Sequence, residues 1–253
     1  MKKFDLQGTG VALVTPFHKQ GNIDFTSLGR LIDHTIEGGV DYLVSLGTTS
    51  EYPTLSSQEQ LAVVEFTIEK VENRVPVVLG MGGNDTRSLV DKIRHTDLSS
   101  IAAILSVAPY YNKPNQKGLY AHYKAIAEAS NTPIILYNVP GRCGVNMTAE
   151  TTLQLANDFS NIIGIKEASG NMAQCMEILA NKPQGFTVVS GEDALVLPMI
   201  ALGAQGVISV AANACPNIMS ELVTHSLKSN MKKARAVHEK LLPFSNAIFD
   251  EGN

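Results

Sequence analysis

Eight short apolar segments alternate with helix-like segments along the 253 residues, and this alternation predicts an α/β fold, a (β/α)8 TIM barrel. Successive segments recur at intervals of roughly 20–35 residues, which is typical of βαβ units. A doubly wound open sheet is the competing architecture. It usually carries a glycine-rich phosphate-binding motif after its first strand, whereas Thr15-Pro16-Phe17 occupies that position here.

The predicted strands are apolar on both faces, which is typical of a parallel sheet covered on both sides. We predict strands at residues 10–16, 42–46, 75–80, 102–107, 133–138, 162–166, 186–191 and 206–210. The first of them ends at Pro16, because proline cannot continue a ladder of backbone hydrogen bonds.

The helices are predicted from apolar residues at helical spacing and from capping signals. The first helix covers residues 26–37 and ends at Gly38-Gly39. Ser56 and Glu59 form a capping box that opens a second helix to about residue 71. Further helices begin near residues 86, 116 and 148 and at Pro216. Helical sequence then continues to about residue 249, with a break near Ser229-Asn230.

We assign residues 1–225 to the barrel and residues 226–253 to the start of a C-terminal helical region.

The composition is ordinary, with 44% hydrophobic and 17% charged residues and a net charge of −4, which argues against binding to nucleic acid or to a membrane surface. No apolar run is long enough to span a bilayer. The three cysteines lack metal-ligand spacing and are odd in number, so we expect a reducing cytoplasm.

No motif for a metal or a nucleotide is present, and we therefore expect no cofactor. The six histidines show no metal spacing. Four of them, His34, His122, His225 and His238, fall in helical stretches, where we expect them on the outer surface.

The strand at residues 162–166 ends abruptly in a lysine, Lys166, at the expected carboxyl end of the barrel. Burial disfavours the ammonium form of lysine, and an uncharged amine in an apolar pocket attacks carbonyl carbon. We therefore hypothesise that Lys166 forms a Schiff base. The alternative is a structural lysine that reaches solvent or pairs with a carboxylate such as Glu167.

Polar residues end several other predicted strands, at the face where barrel enzymes carry their active sites. Thr48 and Thr49 offer hydroxyls and backbone N–H groups to a small carboxylate, although they equally suit a turn that bonds its own backbone. The other residues at these positions are Tyr111, Tyr137, Arg142 and Gly191. A phenol beside an amine nucleophile can transfer protons, and a guanidinium can bind a carboxylate bidentately. Packing of the tyrosines and solvation of the arginine are the alternatives.

Four ordered motifs carry a resemblance to a known family over essentially the whole chain. Residues 47–51 (GTTSE), 109–114 (PYYNKP), 137–142 (YNVPGR) and 164–170 (GIKEASG) resemble the dihydrodipicolinate synthase family of pyruvate-dependent class I aldolases. The resemblance implies a cofactor-independent condensation of pyruvate with L-aspartate-4-semialdehyde in the diaminopimelate route to lysine.

The resemblance also implies a role for each matching residue. Lys166 would form the Schiff base, Tyr137 would donate and accept protons, and Thr48 and Tyr111 would complete a proton relay. The family supplies that last tyrosine from a neighbouring subunit, which implies a homotetramer built as a dimer of dimers. Thr49 and the backbone at Ile208 would bind pyruvate, Gly191 would line the site, and Arg142 would hold the carboxylate of the semialdehyde.

This sequence departs from the family pattern at several positions. Ser50 stands where the family usually has glycine, and Tyr52 where it has a small residue, which leads us to expect a narrower neighbouring pocket. Ser57, Gln60 and Ser88 replace the basic and acidic residues of the family's lysine-inhibition site, while Asn84 and Tyr110 are retained. We therefore expect weak or absent inhibition by lysine.

The family's usual C-terminal helices extend a few tens of residues further, so we expect this region to be truncated. A sibling enzyme such as N-acetylneuraminate lyase is the alternative activity. A barrel that binds pyruvate without catalysis is the alternative from another class.

Overall fold

A computed structural model describes residues 4–250 and contains a closed barrel of eight parallel strands, β1 to β8, paired in chain order. Their bounds are Gly8–Ala12, Tyr42–Ser45, Val77–Gly80, Ala103–Val107, Ile134–Asn138, Ile162–Glu167, Thr187–Ser190 and Gly206–Ser209. β1 pairs with both β2 and β8, which closes the cylinder. The predicted (β/α)8 architecture is therefore confirmed.

Ten α-helices, α1 to α10, are present within residues 4–250. Their bounds are Phe25–Glu37, Ser57–Val71, Thr86–His95, Gln116–Ala129, Pro140–Cys143, Ala149–Asp158, Met172–Asn181, Val196–Ala201, Pro216–Leu227 and Met231–Ala247. Single turns of 3-10 helix lie at residues 48–50, 52–54, 193–195 and 211–213. The short helix α5 is not among the helices predicted from the sequence.

The predicted helix signals act as expected where the structure tests them. The Ser56 side chain accepts from the backbone of Glu59, and the Glu59 carboxylate accepts from the backbone of Ser56, which completes the capping box. Pro216 is the first residue of α9. The helical C-terminal sequence breaks after Leu227 and resumes at Met231. The first helix begins one residue earlier than predicted because Asp24 caps it by accepting from Ser27 N–H.

The first strand lies upstream of its predicted bounds, since β1 ends at Ala12 rather than at the proline. The reason lies in the closure of the barrel, where Gly8 pairs with Gly206 of β8. A Cβ at Gly206 would overlap the backbone oxygen of Gly8. Strands β1 and β8 therefore approach each other here as closely as two glycines allow. This close approach fixes the register between β1 and β8.

The strands carry a fully buried apolar core that is shared with the inward faces of the surrounding helices. All five residues of β1, all five of β5 and all four of β8 are buried. Helices α9 and α10 pack against each other, and α10 also packs against the 3-10 turn at residues 193–195. The division of the chain at residues 225 and 226 stays a prediction.

Membrane crossing was tested on the helices between residues 4 and 250, and none of them combines the length with the apolar character that a bilayer span needs.

Candidate active site

A cavity of about 420 Å³ opens at the carboxyl ends of the barrel strands, a size within the usual range of small-molecule sites. It brings together residues that are distant in sequence. Its lining includes Thr48, Thr49, Tyr137, Arg142, Lys166 and Gly191, together with Glu192, Val210 and Phe249. Six of the eight site residues predicted from the sequence thus surround one space.

Lys166 and Tyr137 form the centre of this cavity. They are register partners on the neighbouring strands β6 and β5, so their side chains leave the sheet on the same face. Lys166 is 3% exposed and Tyr137 is 5% exposed. The Lys166 Nζ lies 4.4 Å from the centroid of the Tyr137 ring. The amine is therefore held inside the barrel mouth beside a phenol, and the alternative of a solvent-exposed lysine is wrong.

An irregularity in the β5–β6 pairing sets this register. Ile134 pairs with Ile162 but Ile135 pairs with Gly164, so Ile163 is an additional residue on β6. In an unbroken register Tyr137 would face Ile165 instead of Lys166. Because side chains alternate between the two faces of a strand, a slip of one residue sends a side chain to the opposite face. The bulge is what places the amine and the phenol in one cavity.

The two threonines occupy a 3-10 turn at Thr48–Ser50, directly after β2. Leu46 and Glu51 flank this turn with φ angles of 55° and 56°, in the left-handed region that costs non-glycine residues free energy. The turn presents both threonines to the cavity. Ser50 points away from it, is 2% exposed and donates to the backbone oxygen of Gly47 at 2.7 Å.

Arg142 lies on the four-residue helix α5, which begins with Pro140 and is capped at its C-terminal end by Gly144. Gly144 adopts φ 71°, a conformation that glycine accepts without the steric penalty of a side chain. The guanidinium side chain lines the cavity on the solvent side, whereas Lys166 lines its buried end. The cavity thus offers a cation near its mouth and an amine at its base.

The segment after β7 forms the opposite wall. A Cβ at Gly191 would lie 3.1 Å from Cε of Lys166 and would overlap the side chain of Ala168, so a glycine here leaves room for the lysine. Asp193 is 5% exposed, and its Oδ2 accepts from the backbone N–H groups of Val210 and Ala211 at 3.1 and 2.8 Å. Burial raises the pKa of Asp193, and these bonds hold the end of β8 against the wall.

Glu192 is a cavity residue that the sequence analysis missed. Burial raises the pKa of its carboxyl group, while the charges of Lys166 and Arg142 lower it. Among the described residues that line the cavity, Glu192 is the one carboxylate. Its place directly after Gly191 at a strand end was the signal that could have found it.

Two predicted site residues lie outside the cavity lining. Ile208 is completely buried within β8, and Val210 lines the cavity in its vicinity. Tyr111 is 85% exposed and has φ 70°, so its ring extends into solvent from the loop between β4 and α4. This chain by itself does not bring Tyr111 into the cavity.

The expectation of four surface histidines is wrong at His122. This side chain is 3% exposed, and its Nδ1 lies 2.8 Å from the hydroxyl of Thr86 at the start of α3. Burial lowers the pKa of His122 to about 4.

Within residues 4–250, no cluster of three or more histidine, cysteine, aspartate or glutamate residues has the arrangement of a metal site.

The family relationship is decided by a whole-chain match. Residues 5–253 match the model of the dihydrodipicolinate synthetase family. The chain belongs to that family. The synthase of Parabacteroides distasonis, curated as 4-hydroxy-tetrahydrodipicolinate synthase, is 49% identical over 253 residues, which are 100% of this chain and 85% of the relative.

Solved structures of dihydrodipicolinate synthases share the fold. The Acinetobacter baumannii enzyme, chloride inhibited and complexed with pyruvate, superimposes with a TM-score of 0.95 at 40% identity. The alignment covers 98% of this chain and 85% of that one. A monomeric dihydrodipicolinate synthase variant superimposes with a TM-score of 0.94 at 40% identity, covering 98% of this chain and 83% of that one.

Tyr52 is half-buried in this member of the dihydrodipicolinate synthetase family. Its hydroxyl donates to the backbone oxygen of Gly82 at 2.6 Å. Burial raises the pKa of Tyr52 far above its usual range, and the adjacent phenol of Tyr110 adds to the effect. The ring therefore fills space between the turn after β2 and the segment after β3.

Proposed function

We propose that this chain condenses pyruvate with L-aspartate-4-semialdehyde as a 4-hydroxy-tetrahydrodipicolinate synthase, an enzyme of the class I aldolase type. One observation carries the proposal: the buried amine of Lys166 lies 4.4 Å from the ring centroid of Tyr137 at the base of a cavity. Family membership and curated relatives with the same activity support it.

The reaction follows from the chemistry of the amine. The uncharged Nζ of Lys166 attacks the ketone carbon of pyruvate, and loss of one water gives a protonated imine. The imine withdraws electrons from the adjacent methyl group, which loses a proton to give an enamine. The enamine carbon attacks the aldehyde carbon and forms the new C–C bond. The substrate amine then attacks the imine carbon, closes the ring and releases Lys166. No step requires a cofactor, because the imine is the electron sink.

Tyr137 is the proposed proton donor and acceptor for this sequence. Its phenol lies beside the reacting amine, where it can protonate the carbinolamine oxygen as water leaves. Thr48 lines the same cavity and is the proposed link in the relay. The third member is Tyr111, which we propose acts in the cavity of a neighbouring subunit, since its phenol points away from its own.

Substrate binding is assigned to the remaining predicted residues. The turn at Thr48–Ser50 places Thr49 at the cavity wall, where its hydroxyl and backbone suit the pyruvate carboxylate. The backbone of Ile208 and the glycine at Gly191 complete that end of the site. Arg142 near the mouth is the proposed partner of the semialdehyde carboxylate, because a guanidinium binds carboxylates bidentately.

We further propose that the protein works as a homotetramer of two dimers in the cytoplasm. The 85% exposure of the Tyr111 side chain supports an intersubunit contact at this loop, since large exposed aromatic residues are enriched at interfaces. Cys143, Cys175 and Cys215 are unpaired, which fits a reducing compartment. Cell fractionation tests the location.

Borohydride trapping tests the proposed function. Incubation with pyruvate and borohydride is expected to add one pyruvate less one oxygen atom to Lys166, detected by peptide mass spectrometry. Lys166→Ala is the matched control and is expected to gain nothing. An unmodified wild-type Lys166 would rule out Schiff-base chemistry.

A second assay separates the proposed synthase from its alternatives. The enzyme is given pyruvate with either aspartate semialdehyde or a sugar aldehyde such as N-acetylmannosamine. Turnover with the semialdehyde alone supports the synthase. Turnover with the sugar indicates an N-acetylneuraminate lyase, and an adduct without turnover of either aldehyde indicates a barrel that only binds pyruvate.

A further inference from the structure

Behind the cavity, on the outer face of β5 and β6, a buried carboxylate belongs to a hydrogen-bond network that includes three side-chain amides. Glu167 directly follows Lys166 in the chain and is 1% exposed. Its side chain leaves β6 on the face opposite to Lys166, because successive side chains alternate. The amides belong to Asn138 at the end of β5, to Gln174 in the first turn of α7, and to Asn146 in the loop before α6.

The Glu167 carboxylate accepts only from N–H donors. The backbone N–H of Ser169 donates to Oε1 at 2.7 Å, and Asn138 Nδ2 donates to Oε2 at 3.0 Å and to Oε1 at 3.3 Å. The Gln174 Nε2 donates to Oε2 at 3.0 Å. An ionised carboxylate is a pure acceptor, whereas a protonated one would need an acceptor of its own. The donor set therefore matches the charged form.

Backbone groups fix which way the two amides point. The Met147 N–H donates to Asn138 Oδ1 at 3.0 Å, so the NH2 end of Asn138 must face Glu167. The Gln174 Nε2 donates to the Met147 carbonyl oxygen at 3.2 Å, which turns its NH2 end the same way. The polarity of the network is thus set by atoms whose donor or acceptor character cannot change.

The same network joins the two ends of the segment that carries Arg142. The side chain of Asn138 donates to Asn146 Oδ1 at 2.8 Å, and the Nδ2 of Asn146 donates to Gln174 Oε1 at 2.8 Å. Residues 139–145, including helix α5, run between these two asparagines. One buried carboxylate therefore connects the strand end bearing Lys166 to both ends of the segment bearing Arg142.

We propose that Glu167 is a positioning residue for the condensation, which holds the Lys166 amine and the Arg142 guanidinium at a fixed separation. The inference rests on the proposed function, since it assigns the two groups to the two substrates. Glu167 contacts neither substrate. It acts through the Asn138, Asn146 and Gln174 side chains, and it keeps the amine and the guanidinium in the geometry that the enamine needs to meet the aldehyde.

Glu167→Gln tests the proposal with almost no change of shape. The new NH2 group would face the N–H donors of Ser169, Asn138 or Gln174, so the network must rearrange. We expect kcat to fall about 10- to 100-fold, the KM for the semialdehyde to rise, and the borohydride-trapping rate with pyruvate to fall. Glu177→Gln, on the exposed face of α7, is the matched control and is expected to behave as wild type.

Asn146→Ala tests the effect of the network on the Arg142 segment separately from its effect on Lys166. It is also the variant to use if Glu167→Gln does not fold. It removes the side-chain bonds of Asn146 to Asn138 and Gln174. The bonds that Glu167 accepts and the backbone bonds of Met147 remain. We expect a raised KM for the semialdehyde with an almost unchanged trapping rate. All variants are assayed well below their melting temperatures, so that lost stability alone leaves kcat and KM unchanged.

The outcomes separate this inference from the proposed function. A folded Glu167→Gln variant with wild-type kcat, KM and trapping rate overturns the positioning role, as does a folded Asn146→Ala variant with a wild-type KM for the semialdehyde. Failure of the wild-type protein to form the Lys166 adduct overturns the proposed function itself.

Discussion

Single residues in the cavity divide into those that react and those that set the charge around the reaction. Lys166 and Tyr137 lie in contact at its base, while Arg142 and Glu192 also line it. The first pair was predictable from strand-end position and residue type. The role of a residue such as Glu192 depends on which charges surround it, and that depends on loops from three different strands.

Glu192→Gln is expected to weaken binding of the semialdehyde more than binding of pyruvate. The semialdehyde is an amino acid with an ammonium group, and Glu192 is the one carboxylate among the described residues that line the cavity. We expect the KM for the semialdehyde to rise about tenfold or more, corresponding to roughly 1.4 kcal/mol. The KM for pyruvate is expected to change little.

Steady-state kinetics with each substrate varied in turn measure this effect. Glu128→Gln on the solvent face of α4 is the matched control. An equal rise in both KM values would show instead that the substitution disturbs the whole cavity.

Helix α4 contains a buried histidine, His122, whose titration makes the fold acid-sensitive. Burial lowers the pKa of His122 to about 4, against about 6.5 in an unfolded chain. The unfolded state therefore binds more protons between these values, so His122 costs stability progressively as pH falls from 6.5 to 4. Well above pH 6.5 the group is neutral in both states and contributes no pH dependence.

His122→Gln is expected to reduce this acid sensitivity. Between pH 7 and 4.5 the variant should lose roughly 2 kcal/mol less free energy of unfolding than the wild type, from the difference in proton uptake. Urea denaturation at the two pH values measures the difference. His95→Gln on the exposed end of α3 is the control, and equal losses in the wild type and His122→Gln would contradict the prediction.

We predict weak or absent inhibition by lysine from the side chains that follow β2 and β3. Tyr52 bonds the backbone oxygen of Gly82, and the amide of Gln60 is occupied by the backbone oxygens of Tyr52 and Leu55. The ammonium of Lys92 donates to Gln60 Oε1 at 2.9 Å, and it would repel the cationic groups of a lysine ligand. The side chains of Tyr52 and Gln60 are thus engaged by the protein's own groups, and the Lys92 ammonium adds a like charge beside them.

Initial rates with and without millimolar lysine measure the effect, and we expect no change. Tyr52→Ser restores a small residue and reopens the space, so it is the informative variant for a gain of binding. Strong inhibition of the wild type at sub-millimolar lysine would show the prediction to be wrong.

The barrel of the whole molecule is complete within one chain. The proposed proton relay is incomplete there, because Tyr111 lies outside the cavity of its own chain. The loop bearing Tyr111 has two non-glycine residues at positive φ, Tyr111 at 70° and Lys113 at 48°. Such conformations persist only where surrounding contacts favour them. An exposed ring on a strained loop is consistent with a contact that a second subunit would supply.

Subunit complementation tests whether Tyr111 acts between chains. Tyr111→Phe and Lys166→Ala are each expected to be nearly inactive. In a mixed dimer, one site keeps its own Lys166 and receives an intact Tyr111 from the other chain. Random mixing should therefore restore about a quarter of wild-type activity, because half of the dimers carry one intact site of two.

Tyr137→Phe mixed with Lys166→Ala is the control, since both residues lie in the same cavity and no intact site can form. Sedimentation velocity of the wild type gives the oligomeric state directly. Absence of complementation in the first mixture, with dimers present, would place Tyr111 outside the neighbouring site.

Much of the architecture was determined by the sequence alone. Apolar strands, capping signals and the regular βα spacing specify eight units, because these patterns are local and repeat within each unit. The identity of the strand-end residues followed from the same reasoning. Lys166, Tyr137, Thr48, Thr49, Arg142 and Gly191 were all expected at the carboxyl ends of strands, and the structure brings them to one cavity.

The tertiary structure decided what depends on contacts between distant segments. The extra residue at Ile163 places Lys166 opposite Tyr137. The adjacent Gly164 permits a bulge at this point, but the sequence does not specify one. His122 is buried, and Glu167 is buried and accepts from two side-chain amides, although glutamate is usually exposed. Register and burial are settled by the packing of neighbouring elements, and a pattern within one element carries no information about its neighbours.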